Sequence, residues 1–212
     1  MRSLRTLTTA LLASFSLGCP ATQGRTGEVF SMGTATPIAP FDSCMIYTAR
    51  EPSAARSHVA PCTELGPVLR GANPMAPPVG GTHYDIWANF ERYTAPVPWG
   101  FLVHSMEHGA AVLAYRCSTP AECTATRAQL EALIDARPMD PACRSDAPRR
   151  IILVPEPALD WPIAVLAWEN MYLATCIDTA SINRFIDAHY AQAPEDFCAD
   201  GITRATDWCP AR

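Results

Sequence analysis

Val103-His-Ser-Met-Glu-His-Gly-Ala-Ala-Val-Leu-Ala-Tyr115 is the stretch on which the fold turns. From Gly109 onward it is a short, uninterrupted apolar run, the signature of a buried strand. Two more such runs follow. Arg150-Ile-Ile-Leu-Val154 is stopped by Pro155-Glu-Pro157, and Pro162-Ile-Ala-Val-Leu-Ala-Trp168 can continue through Met171-Tyr-Leu173. Between the first two runs, residues 122–136 carry Leu130, Leu133 and Ile134 at helical spacing, with Thr124 or Thr126 to cap the start and Pro138 to end it. After the third, residues 180–191 place Ile182, Phe185, Ile186 and Tyr190 on one face, behind Asp178 or Ser181 as a cap. The order is β-α-β-β-α. It specifies an α+β domain, an antiparallel or mixed sheet with two helices on one face. The link between the second and third strands is short, so those two are expected to pair antiparallel.

Upstream the pattern dissolves. Residues 41–98 are crowded with turn signals, among them Pro52, Pro61, Gly66-Pro67, Pro77-Pro78 and Gly80-Gly81. They read as a loop-rich arm, and residues 19–40, rich in Gly, Thr, Ser and Pro, as a flexible tether. The single globular domain is then 41–212. Residues 1–18 have the form of a signal peptide. Arg2 and Arg5 precede an apolar run with Leu11, Leu12, Phe15 and Leu17, too short to span a bilayer. Ser16-Leu-Gly-Cys19 is similar to a bacterial lipobox, which makes Cys19 the expected lipidation site and a lipid anchor the expected link to the membrane. Ordinary secretion, with Cys19 a spare thiol, is the alternative.

Nine Cys in 212 residues point to an oxidising compartment, the periplasm or outer-membrane surface. Setting Cys19 aside leaves eight, enough for four disulfides. No Cys-x-x-Cys occurs, so zinc-ribbon and thioredoxin motifs are excluded. The expected pairs are Cys44 with Cys62, Cys123 with Cys143, Cys198 with Cys209, and Cys117 with Cys176. The chain has no Lys, and its net charge of -5 becomes -7 once Arg2 and Arg5 leave with the leader (14 Arg against 21 Asp and Glu). An acidic chain without a basic stripe is not built to bind nucleic acid. No P-loop, Gly-x-Ser-x-Gly or Gly-x-Gly-x-x-Gly is present.

The chemistry that remains is in histidine. Three of the five His fall between residues 83 and 108: His83, His104 and His108. Neutral imidazoles with open positions suit zinc or copper, which makes these three the candidate metal ligands. Glu107 beside them is expected to fix an imidazole by a hydrogen bond from behind the metal. His58 is a weaker candidate for a fourth ligand, because it lies in a Pro-rich loop. The spacing of His104 and His108 allows two conformations. On a helix both share a face, and His-x-x-Glu-His matches the string of inverzincin peptidases with Glu107 as general base. Pro98, the Trp99-Gly100 pair and Gly109 leave room for at most about two helical turns, marginal in isolation, so an extended or turn conformation is expected. His189 and Met106 read as structural, Asp85 and the Glu195-Asp196 pair as solvated. Trp87, Phe90, Tyr93, Trp99 and Phe101 can either wall a pocket or anchor the arm.

Gly81-Thr-His-Tyr84, then Pro96-Val-Pro98, then Leu102-Val-His-Ser-Met-Glu-His-Gly109 resemble the bacterial domain-of-unknown-function family 3105. The likeness runs over residues 58–197. It takes in His58-Val59, Asn73-Pro74, the strand ending in Pro155-Glu-Pro157, Ala167-Trp168, and Ala188-His-Tyr-Ala-Gln-Ala-Pro-Glu195. Thr82 departs from the Pro usual in that family, and Met106 from the usual Leu. The resemblance implies a fold and an exported location and leaves activity open. Three functions therefore stand: an exported, lipid-anchored envelope protein with a His-rich copper or zinc site; a metal-dependent hydrolase using His104, His108 and Glu107; and a non-catalytic envelope protein in which the His cluster is a hydrogen-bond knot.

Overall fold

The computed structural model describes residues 26–31, 35–52, 56–65, 76–144, 146–204 and 207–209. The leader, Cys19, the first residues of the tether and Asn73-Pro74 lie outside them. Residues 26–31, within the stretch read as a tether, form a strand, β1 (Thr26–Ser31). It is followed by β2 (Met45–Arg50), β3 (His58–Val59), β4 (His83–Tyr84), α1 (Trp99–Glu107), β5 (Ala111–Tyr115), α2 (Pro120–Asp135), β6 (Ile151–Pro155), β7 (Ile163–Ala167), β8 (Asn170–Ala174) and α3 (Thr179–His189). Six strands form one mixed sheet in the order β1-β2-β8-β7-β5-β6, and β3 and β4 form a separate parallel pair. The α+β class and the β-α-β-β-α order stand.

One expected pairing does not. β6 and β7 are not neighbours: β5 lies between them, parallel to β6 and antiparallel to β7. The α2 crossover returns the chain alongside β5, as a helical connection between parallel strands does. The seven residues 156–162 then arch over the end of β5, where Glu156 N–H donates to the Tyr115 carbonyl and Arg116 N–H to that of Pro162. Seven residues are long for a hairpin and ample to cross two strand spacings of roughly 4.8 Å. The true hairpin is β7–β8, turning on Trp168-Glu169, with Glu169 in the left-handed region at φ 60°.

Side chains alternate across this sheet with period 2. Ala111, Leu113, Ile151, Leu153, Ile163, Val165 and Tyr172 face α2 and α3, which add Leu130, Leu133, Ile134, Ile182, Phe185 and Ile186. Val112, Ala114, Ile152, Val154, Ala164, Leu166, Met171 and Leu173 face the other way, onto α1 and the irregular arm. Covering both faces explains why β5 and β7 are buried at every position. The α2 helix starts two residues earlier than expected. Its cap is Thr119 rather than Thr124 or Thr126: Glu122 N–H donates to Thr119 Oγ1 at 3.2 Å, and Ser118 N–H to the Glu122 carboxylate at 3.1 Å. Asp178 caps α3 as expected.

The largest departure is α1. The Trp99–Glu107 segment, expected to be extended or turned, is a nine-residue helix, and all of it except Trp99 is buried. A short helix is marginal in water, but this one is not in water: Phe101, Leu102, Val103 and Met106 pack into the core and supply what local propensity lacks. Gly100 lets the Tyr84 ring approach, since a Cβ there would lie 2.6 Å from it. Gly109 ends the helix in the left-handed region at φ +88°, its N–H on the Met106 carbonyl at 2.9 Å.

All eight candidate cysteines form disulfides, but none of the four expected pairs is present. The bonds are Cys44–Cys176, Cys62–Cys209, Cys117–Cys123 and Cys143–Cys198, with Cα separations of 5.2, 5.4, 5.1 and 5.0 Å. The sheet dictates the first: Cys44 precedes β2, Cys176 follows β8, and these strands pair antiparallel. Two of the others tie the C-terminal tail to the arm and to the loop after α2. Four disulfides are the mark of an extracellular or periplasmic protein. Among the described residues no helix is long and apolar enough to cross a membrane.

Candidate metal centre

The β3–β4 pair sets His58 against His83 in parallel register. Residues in register in adjoining strands project to one side, so both imidazoles face α1, whose last turn presents His104 and Glu107. Four ligand-capable groups, His58, His83, His104 and Glu107, thus bring their donor atoms within 4.8 Å of one another. Glu107 Oε2 is 2.9 Å from His83 Nε2 and 3.1 Å from His58 Nε2. Donors about 2.0–2.1 Å from a tetrahedral ion lie roughly 3.3 Å apart, so these spacings are close to those of a shared metal.

Hydrogen bonding fixes the roles of the ring nitrogens. His104 Nδ1 donates to the Tyr84 carbonyl at 2.6 Å, leaving the lone pair on Nε2. His83 Nδ1 donates to the Gly81 carbonyl at 2.7 Å, while its Nε2 faces the Glu107 carboxylate. Both nitrogens of His83 therefore meet acceptors. The space between Nε2 and Glu107 has to hold a second proton or a metal ion.

Burial favours neutral imidazoles at His104 and His108, and the neighbouring histidines favour an anionic Glu107. Burial, aided by the neighbouring His83 and His58, pushes His104 down to about 4 against the hydrogen bond it donates to the Tyr84 carbonyl. Burial and His104 push His108 down to about 3. For Glu107, burial alone would raise the carboxyl, but hydrogen bonds and charge from His83 and then His58 offset it and hold it below the usual range.

A second donor set adjoins the first. His104, His108 and Glu195 also lie within 4.8 Å of one another, with His108 Nε2 3.2 Å from Glu195 Oε2. The sequence-predicted trio is thus divided. His83 and His104 meet with His58 and Glu107, and His108 meets Glu195 with His104 common to both. Glu107, expected behind the metal, stands among the donors. His58, the weaker candidate for a fourth ligand because of its Pro-rich surroundings, is brought in by the β3–β4 pairing. Glu195 read as solvated, and nothing in local spacing marks it, because its loop is brought to the site by long-range contacts, among them Glu195 N–H on the Glu107 carbonyl and the Cys143–Cys198 bond.

The set-aside residues settle around this centre. Trp87 packs on His104 and His108 with ring centroids 5.2 and 4.3 Å away, and Phe197 covers His108 at 4.0 Å. Phe90, Tyr93 and Phe101 are core anchors, Met106 is fully buried, and Asp85 is exposed. His189 is remote, against Phe185 on α3.

No curated protein and no solved structure matches the chain. Residues 72–200, more than half of the 212, match the family model described as "Protein of unknown function (DUF3105)". That span holds His83, His104, Glu107, His108 and Glu195, and leaves out His58. The chain belongs to the DUF3105 family.

Proposed function

We propose that this is an exported, lipid-anchored envelope protein that binds a transition-metal ion, copper or zinc, through His58, His83, His104 and Glu107. The observation that carries the reading is His83. It is fully buried, both its nitrogens face acceptors, and the one facing Glu107 is joined there by two further imidazoles. The gap between its Nε2 and the Glu107 carboxylate takes either a second proton on His83 or a metal ion, and the three clustered imidazoles favour the ion. Three nitrogens and one oxygen suit zinc or copper and are foreign to magnesium or calcium. The odd ninth cysteine and the lipobox-like Ser16-Leu-Gly-Cys19 support the anchor.

The test is elemental analysis of untagged protein from the envelope, beside Glu107→Gln and His83→Gln. About one copper or zinc per wild-type chain is expected, with less retained through purification by both variants, whose affinity falls. Equal metal in all three, or none in the wild type, leaves the hydrogen-bond knot. Cys19→Ser should move the protein from the membrane to the soluble fraction.

A metal-dependent hydrolase is the second reading. It gains from α1, which carries His104 in its last turn and His108 at its C-cap, with Glu195 as a downstream carboxylate. It loses on Glu107, whose carboxylate is held by His83 and His58 instead of being free to activate water.

A further inference from the structure

We propose that His104, His108 and Glu195 form a second, alternative position for the same ion, so that one ion shifts between two donor sets by pivoting on His104. The inference rests on the metal-binding reading above and adds to it a path through the protein. Its starting point is that His104 belongs to both sets and can serve only one at a time. Nδ1 is committed to the Tyr84 carbonyl at 2.6 Å, so Nε2 carries the one available lone pair. One lone pair makes one coordinate bond. The two sets are therefore mutually exclusive, and the site holds one ion rather than two.

The remaining donors are arranged as two ends of a track. The His58 side chain is 39% exposed and the Glu195 side chain 42%, whereas His83, His104, Glu107 and His108 between them are buried. The rings follow one another closely: His58 to His104 is 4.7 Å, and His104 to His108 is 4.6 Å between centroids. His108 Nε2 is the ring nitrogen that faces Glu195, and its Nδ1 is buried with no hydrogen-bond partner among the described residues, so none of these competes for the second nitrogen of this imidazole. Each end is braced separately. Cys62–Cys209 holds the segment after His58, while Cys143–Cys198 and the Arg150–Asp196 ion pair hold the loop that carries Glu195. Arg150 also donates to the His108 carbonyl at 3.2 Å, fixing the second set to the end of α1. An ion captured at His58 and bound with His83 and Glu107 would exchange those ligands for His108 and Glu195 while keeping His104.

Titration of metal-free protein with Co(II), read by its d–d absorption and by calorimetric stoichiometry, tests this. Wild type should bind one equivalent. Glu107→Gln and Glu195→Gln, which keep side-chain shape, should each still bind one equivalent. Their spectra should differ from one another, and affinity in each should fall at least about tenfold. The double variant should lose binding. Two equivalents in the wild type would show independent sites and overturn the pivot. Glu195→Gln indistinguishable from wild type in spectrum and affinity would also overturn it, while leaving the metal-binding reading in place. No Co(II), Zn(II) or Cu(II) binding by the wild type would overturn both. His104→Gln should abolish binding at either position, and residual binding there would argue against the shared ligand.

Discussion

The two faces of the sheet are built on different physical terms. The face under α2 and α3 is apolar apart from Thr126 and the Tyr172 hydroxyl, closed by Leu130, Leu133, Ile182 and Ile186 from helices whose periodicity fits it. The face under α1 and the arm is as deeply buried but encloses His83, His104, Ser105, Glu107 and His108. One face is held by burial of apolar area. The other adds a polar cluster whose members are stable only with their partners in place. The difference teaches where function is placed: the first face can lose a methyl group and keep its chemistry, whereas the second cannot lose a proton or a ligand without changing what it is.

Acid should break this symmetry most strongly. His104 and His108 are held far below their ordinary value of 6.5, so the unfolded chain takes up protons that the fold refuses. Their contribution to the metal-free protein is intact above pH 6.5 and is lost as pH falls toward about 4 and 3. The urea midpoint should fall steeply across that window, and a flat midpoint would contradict the buried neutral imidazoles. Next in size, Ile182→Ala on the apolar face should cost about 2–5 kcal/mol in denaturant melts. Metal affinity of the folded fraction should stay unchanged; a coupled loss of affinity would mean the faces are not independent.

Metal should act in the opposite sense, stabilising through the polar face alone. At a free-ion concentration a hundredfold above Kd, the gain is about 2.7 kcal/mol in wild type and the same in Ile182→Ala. It should vanish in His104→Gln, which removes the ligand common to both donor sets. The smallest effect is expected from Gly109→Ala. A side chain at φ +88° that would lie 2.9 Å from the Ala191 Cα should cost about 1–2 kcal/mol. It should also weaken metal binding at the His108 end, read as a shift in the Co(II) spectrum.

The same contrast governs what could be read from the chain. The elements β5, α2, β6, β7 and α3 announce themselves, because each buries a face whose period lies within ten or so residues. His104 and His108 stand out for the same reason. α1 was hidden because its helicity comes from burial on all sides, and the cues that argued against it, Gly100 and Gly109, serve packing and termination instead. His58 was legible only as a weak fourth candidate and Glu195 not at all, because they are 46 and 91 residues from His104 in the chain. They are brought in by a two-residue strand pair and by a disulfide-tethered loop. The cysteine pairs failed likewise: pairing Cys44 with Cys62 inside the arm, and Cys123 with Cys143 across α2, cannot anticipate that β2 adds to β8 and sets Cys44 beside Cys176.

The central claim is that the buried cluster is a metal site. X-ray absorption at the edge of the metal retained by untagged wild-type protein tests it most directly. The account predicts copper or zinc with only nitrogen and oxygen neighbours at roughly 2.0–2.1 Å and the outer-sphere scattering of two to three imidazoles. Protein free of metal, or a metal bound without imidazole scattering, would contradict it.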